Sequence, residues 1–240
     1  MEQIRNNFQA VIEKIESACH RAGRQPKDVK LVVVTKGQPL ERIQAVIEAG
    51  ARQLGENYAD EAIEKMPALA GTPDLEWHMI GHVQSRKARL VCEHFAWMHS
   101  LDSLKLATRL NLYSNEIERK IPVLIECNVS GEESKYGYPA WSPEQWPHLV
   151  EELKPILALS WLDVRGLMTM APFSIEPEEA RIYFRRLHEL RDKLGQIFPE
   201  GRWEELSMGM SMDFEAAIQE GATIIRVGEA ILGPRVKRGE

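Results

Sequence analysis

The chain has 240 residues, 44% of them hydrophobic and 28% charged, and a formal net charge of -6. That balance supports a sizeable core and presents no broad basic surface, which argues against sequence-independent nucleic-acid binding; no apolar run reaches the length of a membrane span. Three widely spaced cysteines, Cys19, Cys92 and Cys127, form no CxxC pair, which argues against a disulfide framework or a structural zinc site and fits a reducing cytoplasm.

The N-terminus opens on polar residues, Glu2, Arg5, Asn6 and Asn7, without an apolar signal core, so a cytoplasmic protein is expected. Ile4, Phe8, Val11, Ile12, Ile15 and Ala18 recur at three- and four-residue steps, which predicts an amphipathic helix ending near Gly23. The apolar run Leu31 to Val34 then reads as a buried strand, followed by a helix from Leu40 to Ala49 closed by Gly50. Further strands are predicted at Arg52–Leu54, Glu76–Ile80, Phe95–His99, Val123–Val129, Val164–Met168, Glu204–Ser207 and Thr223–Val227, most of them followed by a helix-like stretch. Pro139 to Pro147 reads as a loop entering a helix, and the basic tail Arg235, Lys237, Arg238 reads as solvated. Eight strands alternating with helices predict one α/β domain over residues 1–240, a single (β/α)8 TIM barrel with an extra N-terminal helix. A doubly wound open sheet shares the alternation.

In such a barrel the chemistry gathers at the C-terminal ends of the strands. Lys36 follows the first strand directly, and a lysine at an apolar barrel mouth loses hydration, which lowers its pKa and makes its amine nucleophilic. Its position alone better suits a surface lysine capping a strand end. Leu206 to Asp213 leaves the seventh predicted strand, turns at Gly209 and opens a helix at Ser211 or Asp213, where free backbone N–H groups favour an anion; an ordinary helix cap has the same pattern. Arg226 to Gly233 ends the eighth strand, and the loops after these two strands form the recurrent phosphate site of the fold. Asn57, Tyr58, His78, Met79 and Asn128 stand at other strand ends and are candidates to line the pocket. No carboxylate pair accompanies His78 with metal-ligand spacing, so no metal is expected.

Taken together these segments resemble the pyridoxal phosphate homeostasis protein family, whose members are similar to the barrel half of fold-type III alanine racemases. The resemblance spans nearly the whole chain. It is carried by Val34-Thr35-Lys36, Gly55-Glu56-Asn57-Tyr58, Trp77-His78-Met79-Ile80-Gly81 with Gln84 and Lys87, Asn128 with Glu133, Lys135 and Gly137, Gly166 through Pro172, Leu206 through Ser211 with Asp213, and Arg226 through Gly233.

The resemblance implies pyridoxal 5'-phosphate (PLP) as cofactor, held as a Schiff base on Lys36. It implies that Ser207, Ser211 and the amides around Gly209, Gly228 and Glu229 hold the phosphate, that Arg226 faces the pyridine nitrogen, and that Asn57 and Met79 belong to the cofactor site. A permanently cationic arginine at that nitrogen disfavours ring protonation and hence extensive carbanion chemistry. Glu229 departs from the small or hydroxylated residue associated with the family, and its carboxylate is compatible with a phosphate only if it faces water. The implied role is a non-catalytic, monomeric PLP carrier in vitamin B6 homeostasis and amino-acid balance, with PLP and PLP-requiring apoenzymes as partners and neither nucleic acid nor membrane. The chain's end at Glu240 after the last βα unit gives the expectation that no second-base domain follows. The alternative is a PLP-dependent amino-acid racemase pairing Lys36 with His78 or Tyr58.

Overall fold

The computed structural model describes residues 1–172 and 176–235, so Lys237 and Arg238 of the basic tail lie outside the described residues. Nine helices and nine strands follow one another among the described residues: α1 Glu2–Arg21, β1 Lys30–Val34, α2 Leu40–Glu48, β2 Gln53–Glu56, α3 Ala59–Leu69, β3 Glu76–Met79, α4 Ala88–His94, β4 Trp97–Leu101, α5 Leu104–Glu116, β5 Ile121–Asn128, β6 Tyr138–Pro139, α6 Trp146–Leu157, β7 Leu162–Met168, α7 Arg181–Ile197, β8 Glu205–Ser207, α8 Phe214–Gln219, β9 Ile224–Val227 and α9 Glu229–Leu232. The strand order is β4-β3-β2-β1-β9-β8-β7-β5, and the additional pairing of β4 with β5 closes the ring. Every pairing is parallel. Eight parallel strands with helices outside form the TIM barrel the sequence predicts, and α1 is its extra N-terminal helix. No helix among the described residues is long and apolar enough to cross a membrane.

Strand alternation sorts the core into two compartments. Val33, Leu54, Ile125, Leu167, Ile225 and Val227 point outward into the large cluster between barrel and helices, which also takes the buried stripe Ile4, Phe8, Val11 and Ile15 of α1. Their neighbours along the chain Val32, Leu124, Met168 and Ile224 form a separate small cluster inside the barrel. Each of these aliphatic side chains contributes about 1.5–3 kcal/mol by leaving water. Polar side chains share that interior, Arg226 in register with Val32 and Ser207 in register with Met168 and Ile224, and this places the site.

Four local features of the fold have clear causes. The fourth strand starts at Trp97 rather than Phe95 because Phe95 N donates to Val91 O at 3.0 Å and finishes α4. The loop after β5 contains a two-residue strand, β6, paired to Cys127 and Asn128. The helix after β8 begins at Phe214 with Asp213 as its N-cap, so of the two expected openings the one at Asp213 holds and the one at Ser211 does not. The Asp213 carboxylate accepts from Met210 N at 2.6 Å, and Asp213 N donates to Met210 O at 3.1 Å, so Met210 to Asp213 is held as a turn. Gly166 adopts φ +151°, and a Cβ there would lie 1.9 Å from Glu205 O, so β7 approaches β8 at a distance only glycine permits.

Candidate functional site

Lys36 lies just past the end of β1. The backbone on which it stands is anchored from three sides: Thr35 N donates to Gly55 O at 2.9 Å, Thr35 Oγ1 to Glu56 Oε1 at 2.7 Å, and Lys65 Nζ to Thr35 O at 3.2 Å. Glu56 is fully buried and pairs with Lys65 at 2.7 Å. Gln38 Nε2 donates to Gly233 O at 3.0 Å, tying the same loop to the end of α9. The Lys36 amine itself has no hydrogen-bond or ion-pair partner among the described residues. Burial, then the nearby charges of Arg235 and Arg226, lower its pKa from 10.5 to about 8. A substantial neutral fraction near neutral pH is the state a Schiff-base lysine requires.

Arg226 points into the barrel and is almost wholly buried, its Nη1 2.5 Å from Ser207 Oγ and its Nη2 2.8 Å from Thr169 O. Among the described residues no carboxylate pairs with it, and burial pulls its pKa down to about 10. Ser207 Oγ is also 2.9 Å from His99 Nδ1, and His99 Nε2 is 2.9 Å from His78 Nδ1. The Ser207 hydroxyl, expected among the loop groups that hold a phosphate, is thus turned inward onto Arg226 and His99.

The loops after β8 and β9 meet at their tips. Gly209, at φ +95°, lets its carbonyl accept from Arg226 N at 3.0 Å. Ala230 N donates to Ser211 Oγ at 3.3 Å, which brings the Ser211 hydroxyl to the first turn of α9. Gly228 abuts the end of β1, where a Cβ would lie 3.0 Å from Val34 O. The Glu229 side chain is exposed.

Asn57 and Met79 line a cavity of about 580 Å³ at the strand ends together with Tyr58, Glu126, Lys135 and Met170. Among the described residues Asn57 Oδ1 is a buried acceptor without a partner, as is Glu126 Oε2. Burial, and next the charge of Asp102, raise the Glu126 pKa to about 7. Lys135 Nζ donates to Met170 O at 3.1 Å and pairs with Glu132. Of the two candidate racemase bases, Tyr58 is 59% exposed at the rim, while His78 is sealed in the barrel interior against His99 and is not among the cavity's lining residues.

His99, Thr169 and Glu126 were not among the site residues expected from sequence. Glu126 carried a signal: in Ile121 to Asn128 a carboxylate two residues from Leu124 shares that residue's inward face. His99 and Thr169 depend on partners 108 and 57 residues away in sequence.

A closed parallel barrel with a lysine just past its first strand and a buried arginine on its last is the class these features define, a barrel of the alanine racemase type. The family of the alanine racemase N-terminal domain matches residues 3–236. The alanine racemase of Clostridium difficile 630 superposes with a TM-score of 0.68 at 16% identity, covering 94% of this chain and 55% of that one, a likeness of fold alone. A protein of Haemophilus influenzae named pyridoxal phosphate homeostasis protein is 39% identical over 233 residues, 97% of this chain and 96% of that protein. PipY of Synechococcus elongatus, solved with PLP bound, superposes with a TM-score of 0.78 at 35% identity, covering 93% of this chain and all of that one. The chain belongs to the pyridoxal phosphate homeostasis protein family.

Proposed function

We propose that this protein binds PLP as a Schiff base on Lys36 and serves intracellular PLP homeostasis and amino-acid balance, as a cytoplasmic monomer of one domain over residues 1–240. The observation that carries the reading is the Lys36 amine, without a partner among the described residues and with a pKa of about 8, near a buried guanidinium at Arg226 that forms no ion pair among them. PLP supplies an aldehyde, a phosphate dianion and an electron-poor ring, and the residues present fit all three. Lys36 takes the aldehyde. Ser211 and the amides of Gly209, Gly228 and Glu229 hold the phosphate, with the Glu229 carboxylate in water, while Ser207 contributes from below through Arg226. Arg226 turns remaining donors to the pyridine nitrogen, and the Asn57 and Met79 side chains flank the ring.

The role we assign is that of a carrier, with PLP-requiring apoenzymes as recipients. Racemisation needs a second base opposite Lys36, and the two candidates are poorly suited: His78 sits in the barrel interior and Tyr58 stands at the exposed rim. The test is the absorption spectrum of the purified protein with and without PLP, followed by borohydride reduction and peptide mapping. A new long-wavelength band and a pyridoxyl mass on Lys36 are expected. No band and no adduct would sink the reading, and amino-acid racemisation well above free PLP, lost in Lys36→Ala, would replace the carrier with an enzyme.

A further inference from the structure

Beneath the strand ends, Arg226, Ser207, His99 and His78 form a continuous chain of contacts at 2.5, 2.9 and 2.9 Å, and none of the four is more than 4% exposed. The chain's proton positions follow from its chemistry. A guanidinium has donors only, so Ser207 Oγ accepts from Arg226. The hydroxyl proton of Ser207 then has one acceptor among the described residues, His99 Nδ1. A neutral His99 accepting at Nδ1 carries its proton on Nε2 and donates it to His78 Nδ1. His78 in turn carries its proton on Nε2, which faces Glu76 Oε2 at 3.8 Å, outside hydrogen-bond length but within electrostatic reach.

The opposite polarity fails at both ends. It leaves the Ser207 proton buried without an acceptor, and it sets a bare His78 nitrogen against the Glu76 carboxylate. Charged rings are disfavoured as well: burial holds the His78 pKa below the ordinary histidine range and that of His99 well below it. The ring planes are fixed by packing, with Trp97 stacked parallel to His78 at 6.1 Å and edge-on to His99 at 6.4 Å.

We propose that His99 is a positioning residue for the cofactor: through a one-way relay running Arg226 to Ser207 to His99 to His78, it fixes the Ser207 hydroxyl as an acceptor and thereby aims Arg226 at the ring nitrogen. The inference rests on the reading of Arg226 as the partner of that nitrogen. It has two consequences. Ser207 has no proton to offer the pyridine nitrogen or the phosphate, and the guanidinium, cationic near neutral pH with a pKa of about 10, meets no second positive charge along the relay because Ser207, His99 and His78 are neutral.

The test has two arms. In the first, long-range proton–nitrogen NMR on apo protein labelled with 15N-histidine reads the tautomers, with His99→Gln and His78→Gln assigning the signals. Both rings are expected unprotonated at Nδ1 and protonated at Nε2, and a proton on Nδ1 of His99 would overturn the relay. In the second, PLP-loaded His99→Leu is compared with His99→Gln, whose amide retains one acceptor and one donor. His99→Leu is expected to shift the bound-cofactor band and to lose PLP on dialysis about tenfold faster, with His99→Gln restoring both toward wild type. An unchanged band and retention in folded His99→Leu would overturn the positioning role. If His99→Leu does not fold, Ser207→Ala removes the same hydroxyl contact in a smaller side chain, and the same two readouts decide. A wild-type protein that takes up no PLP counts against the proposed function, and the tautomer measurement still decides the relay.

Discussion

Arg226 donates to Ser207 Oγ at 2.5 Å across the β8–β9 pair, and among the described residues no carboxylate forms an ion pair with it, Asp213 and Glu126 acting on its charge only from a distance. A buried cation without a counter-ion is ordinarily costly, and protein interiors tolerate one only where hydrogen bonds or a ligand offset the lost hydration. Here two bonds, to Ser207 and to Thr169 O, account for part of the guanidinium's donors and leave others free.

Replacing Arg226 therefore separates ligand binding from folding. Arg226→Gln removes the charge while keeping a short donor for Ser207, so the stability loss is expected to stay near one hydrogen bond, about 1 kcal/mol. PLP affinity is expected to fall about tenfold or more, because a charge-assisted contact to the ring is lost. Equilibrium dialysis beside urea denaturation of the same preparations measures both. A large stability loss with unchanged affinity would assign Arg226 a purely structural role.

The pKa of Lys36 sets a pH dependence whose sign is fixed. Between about pH 8 and 10.5 the unfolded chain holds this proton and the folded chain does not, so the Lys36 contribution to stability rises with pH across that window. Lys36→Met, which removes the charge beside Arg235 and Arg226, is expected to make the apo protein more stable than wild type below pH 8. That advantage should close by pH 10.5. Melting temperatures of the pair across pH 7 to 10.5 measure it, with the range set by the same linkage. The rate of covalent PLP capture by wild type should climb toward pH 8 and then flatten, where an ordinary lysine would keep gaining.

Glu126 gives the opposite slope. Folded, it keeps its proton to about pH 7, whereas unfolded it releases it near 4.5, so the folded chain holds the extra proton in between and stability falls as pH rises through that range. Glu126→Gln removes the liability. Its melting temperature should match wild type at pH 4.5 and exceed it increasingly toward pH 7.5. A gap that does not change with pH would mean that Glu126 is not held protonated by its surroundings.

The strands were legible because buried parallel strands are short apolar runs, and Leu31 to Val34 and Thr223 to Val227 have that pattern whatever surrounds them. Lys36 was legible for the same reason, as a charge placed directly after such a run. Element ends were less so: whether Phe95 opens a strand or closes a helix depends on its bond to Val91 O, and the turn at Met210 to Asp213 depends on a carboxylate reaching back three residues. Ser207 was assigned to the right strand end but to the loop side of it. Which way its hydroxyl turns is decided by Arg226, 19 residues on, and by His99, 108 residues back, and no local pattern encodes those distances.

Gly209 offers the sharpest test of the anion-holding loops. At φ +95° it lies where side chains are strained, and a Cβ would stand 2.6 Å from the Ala217 methyl and 3.0 Å from Phe214 Cα on α8. Gly209→Ala must therefore push the loop off α8 or bend it, at a cost of about 2–4 kcal/mol from backbone strain and overpacking together. Either movement displaces its carbonyl from Arg226 N and carries Ser211 away from Ala230 N. Affinity for PLP and for inorganic phosphate should fall together, because the damage lies in the shared phosphate contacts. Ser211→Ala, which removes one hydroxyl without touching the backbone, should weaken both ligands by about 1 kcal/mol and leave stability nearly unchanged. If Gly209→Ala weakened PLP binding and left phosphate binding intact, the phosphate would have to be held elsewhere than on these two loops.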